Sequence, residues 1–544
     1  RGSERKEVDM SPDSAIPVFD ARCTVGRHLL LRSGGPHTAA DLMAEMDRYG
    51  IGEALVLDSL SRENHPDEGN RRIIATASCS PRLYPAWSAL PAAGKDEQAE
   101  PELFLQEMRR HGVAALFLFP RQYRFRLCDW CVDAFLEPLA EAKAPIFISH
   151  DETGPGGGAG DTTDWDSIVA LCRRWPSMPV IVTEFRIRRN QRMLYRALDA
   201  CPNLHIELSG YWLHRGIEYI SANWGAERLL FGSNWPTFGQ HMTLATLMTA
   251  DISEAEKKKI AGENLRRLIA WNVSRPAPSA PDISGMDEYA LFGRTGVRPG
   301  NMTFLDCHGH LGGRASHYHL PNCTTEGIAR DMDRLGVRKG CVFSFAGIFS
   351  DEKFGNDVVA DAVRQYPDRF IGFTLLNPHR GREEMLAELE RCAALGMRGV
   401  KLIAYYQMCP EDSPLIEAAC RWAHDRRQII LNHNWGPPEF LEKMVRSCPN
   451  ACYIAGHSTA AYAELMKKYP QIYVCSCPLL APDACEKMVA AIGADRLLFG
   501  SDLQDLPIAW GLGPVLFARI PPDQKSMILG GNLDRLLHSY SLKP

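Results

Sequence analysis

MTFLDCHGH, Met302 to His310, is a short apolar run that ends in an aspartate and two histidines at alternate positions. Alternation is the strand period, so in an extended segment Asp306, His308 and His310 leave the backbone on one face and converge. Converging imidazoles suggest a metal. An isolated His-x-His also has a duller reading, a strand running into a polar turn, because two histidines do not close a ligand set.

Seven further apolar runs follow: GCVFSF, FIGFTLLN, GVKLIAYY, IILNHN, CYIAGH, IYVCSC and RLLFGSD. Most are separated by helix-length segments such as SPLIEAACRWAHDRRQ and AAYAELMKKY, so strand and helix patterns alternate. Eight such units in about 240 residues predict a (β/α)8 barrel, whose functional groups sit at the C-terminal ends of its strands. An open doubly wound sheet is the competing architecture. No Gly-x-Gly-x-x-Gly follows a first strand, which counts against its dinucleotide-binding form.

The chain also contains a second copy of this pattern. MDRYGI at Met46 matches MDRLGV at Met332, and GN at Gly69 matches GN at Gly355, both 286 residues apart. GAERLLFGSNW at Gly225 matches GADRLLFGSDL at Gly493, and ENLRRLI at Glu263 matches GNLDRLL at Gly531, both 268 apart. A fixed offset of this kind is the mark of a duplicated unit. The expected class is therefore α/β, with two tandem (β/α)8 TIM-type barrels: 1–270, a Pro/Ser/Gly-rich linker over 271–301, and 302–544. The first copy holds about 18 more residues, with DETGPGGGAGDTTDWD as a place for them. No Gly-Lys-Ser/Thr follows that glycine run, so it reads as a flexible loop and not as a phosphate cradle.

Length and composition agree. The 544 residues are too many for one ordinary core. With 45% hydrophobic and 23% charged residues the chain is of globular type, and a formal net charge of -5 without a basic run gives no case for nucleic acid. A small molecule is the expected partner. No apolar stretch has the length of a membrane span, and RGSERKEVDM lacks the apolar core of a signal peptide. The 17 cysteines are scattered through apolar segments, and Cys475 and Cys477 in VCSC lack a second metal-type pair. Reduced, buried thiols in a cytoplasmic protein are expected.

The ends of the eight runs carry the chemistry: Asp306, His308 and His310 on run one, Lys401 on four, His433 on five, His457 on six and Asp502 on eight. Singly, each has a structural reading. Together, on the face where barrel enzymes work, they point to a metal site. This order resembles the amidohydrolase superfamily, and the DCHGH start and LLFGSD end resemble its amidohydrolase-related (amidohydrolase-2) branch, rich in lactonases and decarboxylases. The resemblance covers the whole second half and, in degenerate form, the first.

The resemblance implies that His308, His310, His433 and Asp502 bind one divalent metal, with a second ion in binuclear relatives, and that His457 stands beside it as a catalytic or second-metal residue. Lys401 stays open between a carboxylated metal bridge, a substrate-binding cation and a strand-end lysine. Three imidazoles and a carboxylate suit Zn2+, with manganese, iron or nickel as other occupants. Asp502 is then the expected proton acceptor from water and His457 the group that polarises a carbonyl. The expected activity is metal-dependent hydrolysis of an ester, lactone or amide. The alternative is non-oxidative decarboxylation or hydration of an aromatic or muconate-type acid. Arg314, His317, His319, Tyr405, Tyr406, Gln407, Asn434 and Trp435 follow the predicted strand ends and are candidates for contacting substrate, Arg314 or Lys401 serving if it bears a carboxylate.

A non-catalytic scaffold is the opposing reading, and the first half gives it weight. There FDARCT replaces LDCHGH, so Arg22 and Thr24 stand for His308 and His310; Phe117 replaces Lys401, Glu184 and Phe185 fall at AGH, Asn234 replaces Asp502, and His150 falls opposite His433. One histidine does not hold zinc against water, so the first barrel is expected to be metal-free. The second half keeps every position, which argues against an inert chain. Related barrels often pair, so the two halves are expected to form an intramolecular pseudo-dimer, with further homo-oligomers open and two beads on a tether as the competing picture.

Overall fold

A computed structural model describes residues 15–94, 96–153, 163–276, 281–313 and 319–540. The chain divides into two compact units: Arg1–Trp212, Gly216–Met286 and Arg294–Val297 in one, Leu213–Arg215, Asp287–Gly293 and Arg298–Pro544 in the other. The glycine run read as a flexible loop lies mostly outside the described residues. Within the stretch read as a linker, Glu288–Thr295 is helical.

The first unit contains β1 (Phe19–Val25), β2 (Glu53–Asp58), β3 (Leu83–Ala89), β4 (Ala115–Leu118), β5 (Ile146–Ile148), β6 (Val180–Val182), β7 (Leu204–Glu207) and β8 (Leu229–Leu230). They pair in chain order, every pair parallel. The circle closes where Ala21 N donates to Phe231 O (2.9 Å) and Thr24 N to Trp235 O (2.8 Å). Such strands are buried on both faces, which is why they read as continuous apolar runs. Alternate residues fill the core, among them Phe19, Ala21, Leu55, Leu57, Phe117, Phe147 and Leu230.

The second unit contains β9 (Phe304–Leu311), β10 (Val337–Ser344), β11 (Phe370–Gly372), β12 (Thr374–Leu375), β13 (Val400–Leu402), β14 (Ile429–Asn432), β15 (Cys452–Ala455), β16 (Ile472–Cys475) and β17 (Leu497–Leu498). β11 and β12 are one strand position interrupted at Phe373, whose N still donates to Val342 O of β10 (2.9 Å). Cys307 N donates to Phe499 O (2.9 Å) and closes the circle. Eight parallel strand positions result, and the fold is two tandem TIM-type barrels.

The repeated MDRYG and MDRLG motifs are helix ends. Thr38 caps the helix Ala39–Tyr49, and Thr324 caps Thr325–Leu335. The helices stop at Gly50 (φ 63) and Gly336 (φ 82), left-handed positions that glycine takes without a Cβ penalty, and the next strand begins shortly after. All 17 cysteines are free thiols, most of them buried. Among the described residues no helix is long and apolar enough to cross a membrane.

Candidate metal centre

His308 and His310 on β9 and Asp502 in the turn after β17 each offer one ligand atom, and these atoms lie within 4.8 Å of one another. Asp502 sits at φ 56, and its N donates to His308 O (2.9 Å), so the turn is tied to the histidine-bearing strand. Its Oδ1 is 2.8 Å from His310 Nε2 and 3.4 Å from His308 Nε2. The other nitrogen of His308, Nδ1, donates to Gly456 O (2.8 Å), which leaves Nε2 as a lone pair facing the carboxylate. His310 stacks flat on Phe345 at 4.3 Å and meets Phe343 edge-on at 4.5 Å.

Burial and the charge of Lys401 push His308 well below the usual imidazole pKa. Burial would raise the Asp502 carboxyl, but the hydrogen bond from His310 and the neighbouring histidines outweigh it and hold it well below the carboxylate range. A neutral imidazole beside an ionised carboxylate is what a divalent ion requires. The donor set therefore fits one.

His433 follows β14 and lies outside that group of three. It forms a chain with His457, which follows β15. His457 Nδ1 is 3.1 Å from Cys477 O, and its Nε2 is 3.0 Å from His433 Nδ1. A carbonyl only accepts, so His457 Nδ1 carries a proton. Burial lowers the pKa of both rings, His433 to about 2, so both are neutral. His457 Nε2 then accepts from His433 Nδ1, and His433 Nε2 is left bare. Both nitrogens of His457 are engaged, unlike those of His433.

Lys401 on β13 is wholly buried, its Nζ has no hydrogen-bond partner among the described residues, and it lies 4.2 Å from the centroid of Phe343. Burial lowers its pKa to about 8, the Asp502 charge opposing. A buried ammonium left unpaired is costly, which makes Lys401 a candidate for a functional position.

Asp306 shares the face of the histidines but has another task. Its Oδ1 accepts from His308 N (2.9 Å) and Ser501 N (3.1 Å), and its Oδ2 from the Ser501 hydroxyl. Burial raises its pKa to about 7, against those hydrogen bonds. This carboxylate clasps the first strand to the residue before Asp502. The sequence offered a signal: Asp20 and Ser233 repeat the pair in the first barrel, joined by hydrogen bonds of 3.0 and 2.5 Å, although the histidines are gone.

The other candidates divide. Arg314 and His317 lie outside the described residues. Tyr406 packs edge-on against His433 at 4.8 Å, with Tyr405 beside it. His319 and Asn434 are exposed. Gln407 pins its own turn by donating to Leu376 O (3.0 Å). Trp435 corrects the sequence reading: it is 2% exposed, its Nε1 donates to Ile454 O (3.0 Å), and it packs on Tyr453, a core position and not a substrate contact.

Strand register fixes what the first barrel carries at the same positions. His433 N donates to Leu402 O, and Ser149 N donates in the same way to Leu118 O. Ser149 therefore stands level with His433, and His150 is one residue further on, which corrects the alignment of the two histidines. Arg22 stands for His308, Thr24 for His310, Phe117 for Lys401, Glu184 for His457, Glu207 for Cys475 and Asn234 for Asp502, Asn234 and Asp502 sharing a left-handed φ of 59 and 56. These residues pair with each other: Arg22 Nη1 with Glu207 at 3.4 Å, and His150 Nδ1 with Glu184 at 2.9 Å, all nearly buried.

The amidohydrolase family model matches this chain twice, over residues 38–270 and 305–538. An L-fucono-1,5-lactonase of Burkholderia ambifaria is 24% identical over 225 residues, 38% of this chain and 71% of the relative. Among solved structures, an uncharacterized TIM-barrel protein from Bordetella bronchiseptica is 18% identical with a TM-score of 0.36, covering 44% of this chain and 99% of its own. A dihydroxybenzoic acid decarboxylase from Polaromonas, with bound manganese, is 15% identical with a TM-score of 0.34, covering 43% and 97%. With both halves matched by the family model, the chain belongs to the amidohydrolase family.

Proposed function

We propose that the second barrel is a metal-dependent hydrolase that opens an ester, lactone or amide bond of a small molecule. The observation that carries this reading is the tautomer pattern, which leaves His308 Nε2 bare beside an ionised Asp502 and His433 Nε2 bare on the neighbouring strand end. His308, His310 and Asp502 would hold one ion, with His433 as fourth ligand, and this set favours Zn2+. Bound there, the ion supplies Lewis acidity that lowers the pKa of a water and polarises a carbonyl.

Asp502 meets both histidines through Oδ1. Its other oxygen takes a proton from the attacking water as the new C–O bond forms, and returns it to the leaving oxygen or nitrogen as the old bond breaks. Lys401 stabilises the negative charge that develops on the substrate oxygen. His457 fixes the His433 tautomer. The lactonase likeness supports a lactone among the substrates. The first barrel, in which Arg22 meets Glu207 and His150 meets Glu184, takes no metal.

Lys401 also supports a second reading, because an unpaired buried cation suits a carboxylate: decarboxylation or hydration of an aromatic or muconate-type acid. Proton release from a panel of lactones, esters and amides, run beside carbon dioxide release from aromatic acids, separates the two. Hydrolysis of at least one panel member, lost on metal removal, is the expected result. Carbon dioxide release without any hydrolysis overturns hydrolysis in favour of the second reading.

A further inference from the structure

The turn after the fourth strand has the same backbone in both barrels and opposite chemistry. In the second barrel Met408 (φ 56) closes it, with Met408 N donating to Tyr405 O (3.3 Å) and Cys409 N to Ala404 O (2.9 Å). In the first, Arg124 (φ 59) closes it, with Arg124 N donating to Arg121 O (3.2 Å) and Phe125 N to Pro120 O (2.9 Å). Tyr405, Tyr406 and Met408 thus occupy the places of Arg121, Gln122 and Arg124.

The first barrel's version is an ordinary solvated turn. Arg121 and Arg124 pair with Glu152 at 2.8 and 2.9 Å, and Gln122 accepts from Thr153 N. In the second barrel the same three places put large apolar side chains into solvent: Tyr405 is 64%, Tyr406 50% and Met408 87% exposed. A turn pinned by its own hydrogen bonds holds them there. The hydrogen bonds after the second strand likewise match Phe349, 51% exposed, with Glu63 of the first barrel. Phe349 meets Tyr406 edge-on at 6.2 Å, and Tyr406 meets His433 at 4.8 Å, so the aromatic row runs from the metal centre outward. A contiguous exposed apolar patch beside a site marks what the site binds, and at the matched places the first barrel carries Arg121, Gln122, Arg124 and Glu63 instead.

We infer that Tyr406 and Phe349 are the specificity-determining residues of the second barrel, and that they receive a flat, apolar portion of the substrate beyond its reacting group. This rests on the proposed activity of the same centre, and it deepens that reading by selecting an aryl-bearing substrate over a polyhydroxylated one. Edge-to-face and stacked aromatic contacts reward a planar body, whereas a sugar ring offers these ring faces less apolar surface and keeps most of its hydroxyls in water.

Calorimetric titration of the full chain with 2-naphthoate and with D-gluconate, two carboxylates with opposite bodies, tests it. Naphthoate should bind at least tenfold more tightly. Tyr406→Ala should weaken naphthoate at least fivefold, Tyr406→Phe should not, and Phe349→Ser, at a second surface position, should behave like Tyr406→Ala. Gluconate binding as tightly as naphthoate overturns the inference, as does a Tyr406→Ala chain that binds naphthoate like the parent. Metal content measured on the same samples keeps the two readings apart: naphthoate preference in a chain that takes up no metal sinks the hydrolase and leaves the aromatic row, and metal uptake with gluconate preference does the reverse.

Discussion

Asp306 and His308 are two residues apart on one strand, point the same way, and do different work. Asp306 accepts three hydrogen bonds that hold the barrel's first strand to the end of its last. Asp20 does the same for the first barrel, with Gln240 as a further donor at 2.8 Å. Removing either carboxylate orphans several buried donors at about 1–3 kcal/mol each. Asp20→Ala should therefore destabilise the first barrel by roughly 3 kcal/mol or more, read as an earlier transition in urea. An unchanged transition would reduce the clasp to an incidental contact. The alternation in DCHGH makes the convergence of His308 and His310 legible, because strand geometry alone carries it. What the pattern hides is that Asp306 is already satisfied by Ser501, a partner 195 residues away.

Single positions in the strands decide which side chains meet. A shift of one residue turns every side chain of a strand to the other face, and for this reason matching His150 to His433 by identity misplaced it: the ladder puts Ser149 there. The eight runs of the second half are legible as strands because each is buried on both faces. The interruption of the third at Phe373 leaves no mark in sequence, since Phe373 is as apolar as its neighbours. The helix Glu288–Thr295 is masked by the Pro-, Ser- and Gly-rich residues around it. The side-by-side ends of β14 and β15 give a test. His433→Ala should lower metal affinity at least tenfold. His457→Asn should cut turnover more than 100-fold while the chain still loads metal at saturating concentration, since outer partners of a ligand tune affinity by about 10–100-fold. Complete loss of metal in His457→Asn would make His457 a ligand itself.

At matched positions the second barrel carries histidines around a carboxylate and the first carries residues that pair as cation and carboxylate. Where the second barrel has His308 beside Cys475, the first has Arg22 beside Glu207, a charge pair closed within the protein. Arg22→Met leaves the buried Glu207 carboxylate without its cation, held by hydrogen bonds from Thr183 and Ser209, at a cost of about 3 kcal/mol. It should lower the stability of the first barrel without changing the metal content of the folded chain; a variant that sheds metal would tie Arg22 to the metal centre. The duplication and the unequal fate of its copies are legible in sequence through the 286- and 268-residue offsets. The ion pair that stands at the matched position in the first barrel is not, because Arg22 and Glu207 are 185 residues apart and belong to no motif.

Elemental analysis of the purified full chain, loaded with zinc and freed of excess, tests the central claim most directly when run beside His308→Ala and His310→Ala. About one equivalent per chain in the parent, lost in both variants, is the predicted result. A parent chain that takes up no metal, or variants that retain the full equivalent, would contradict a metal centre at the mouth of the second barrel.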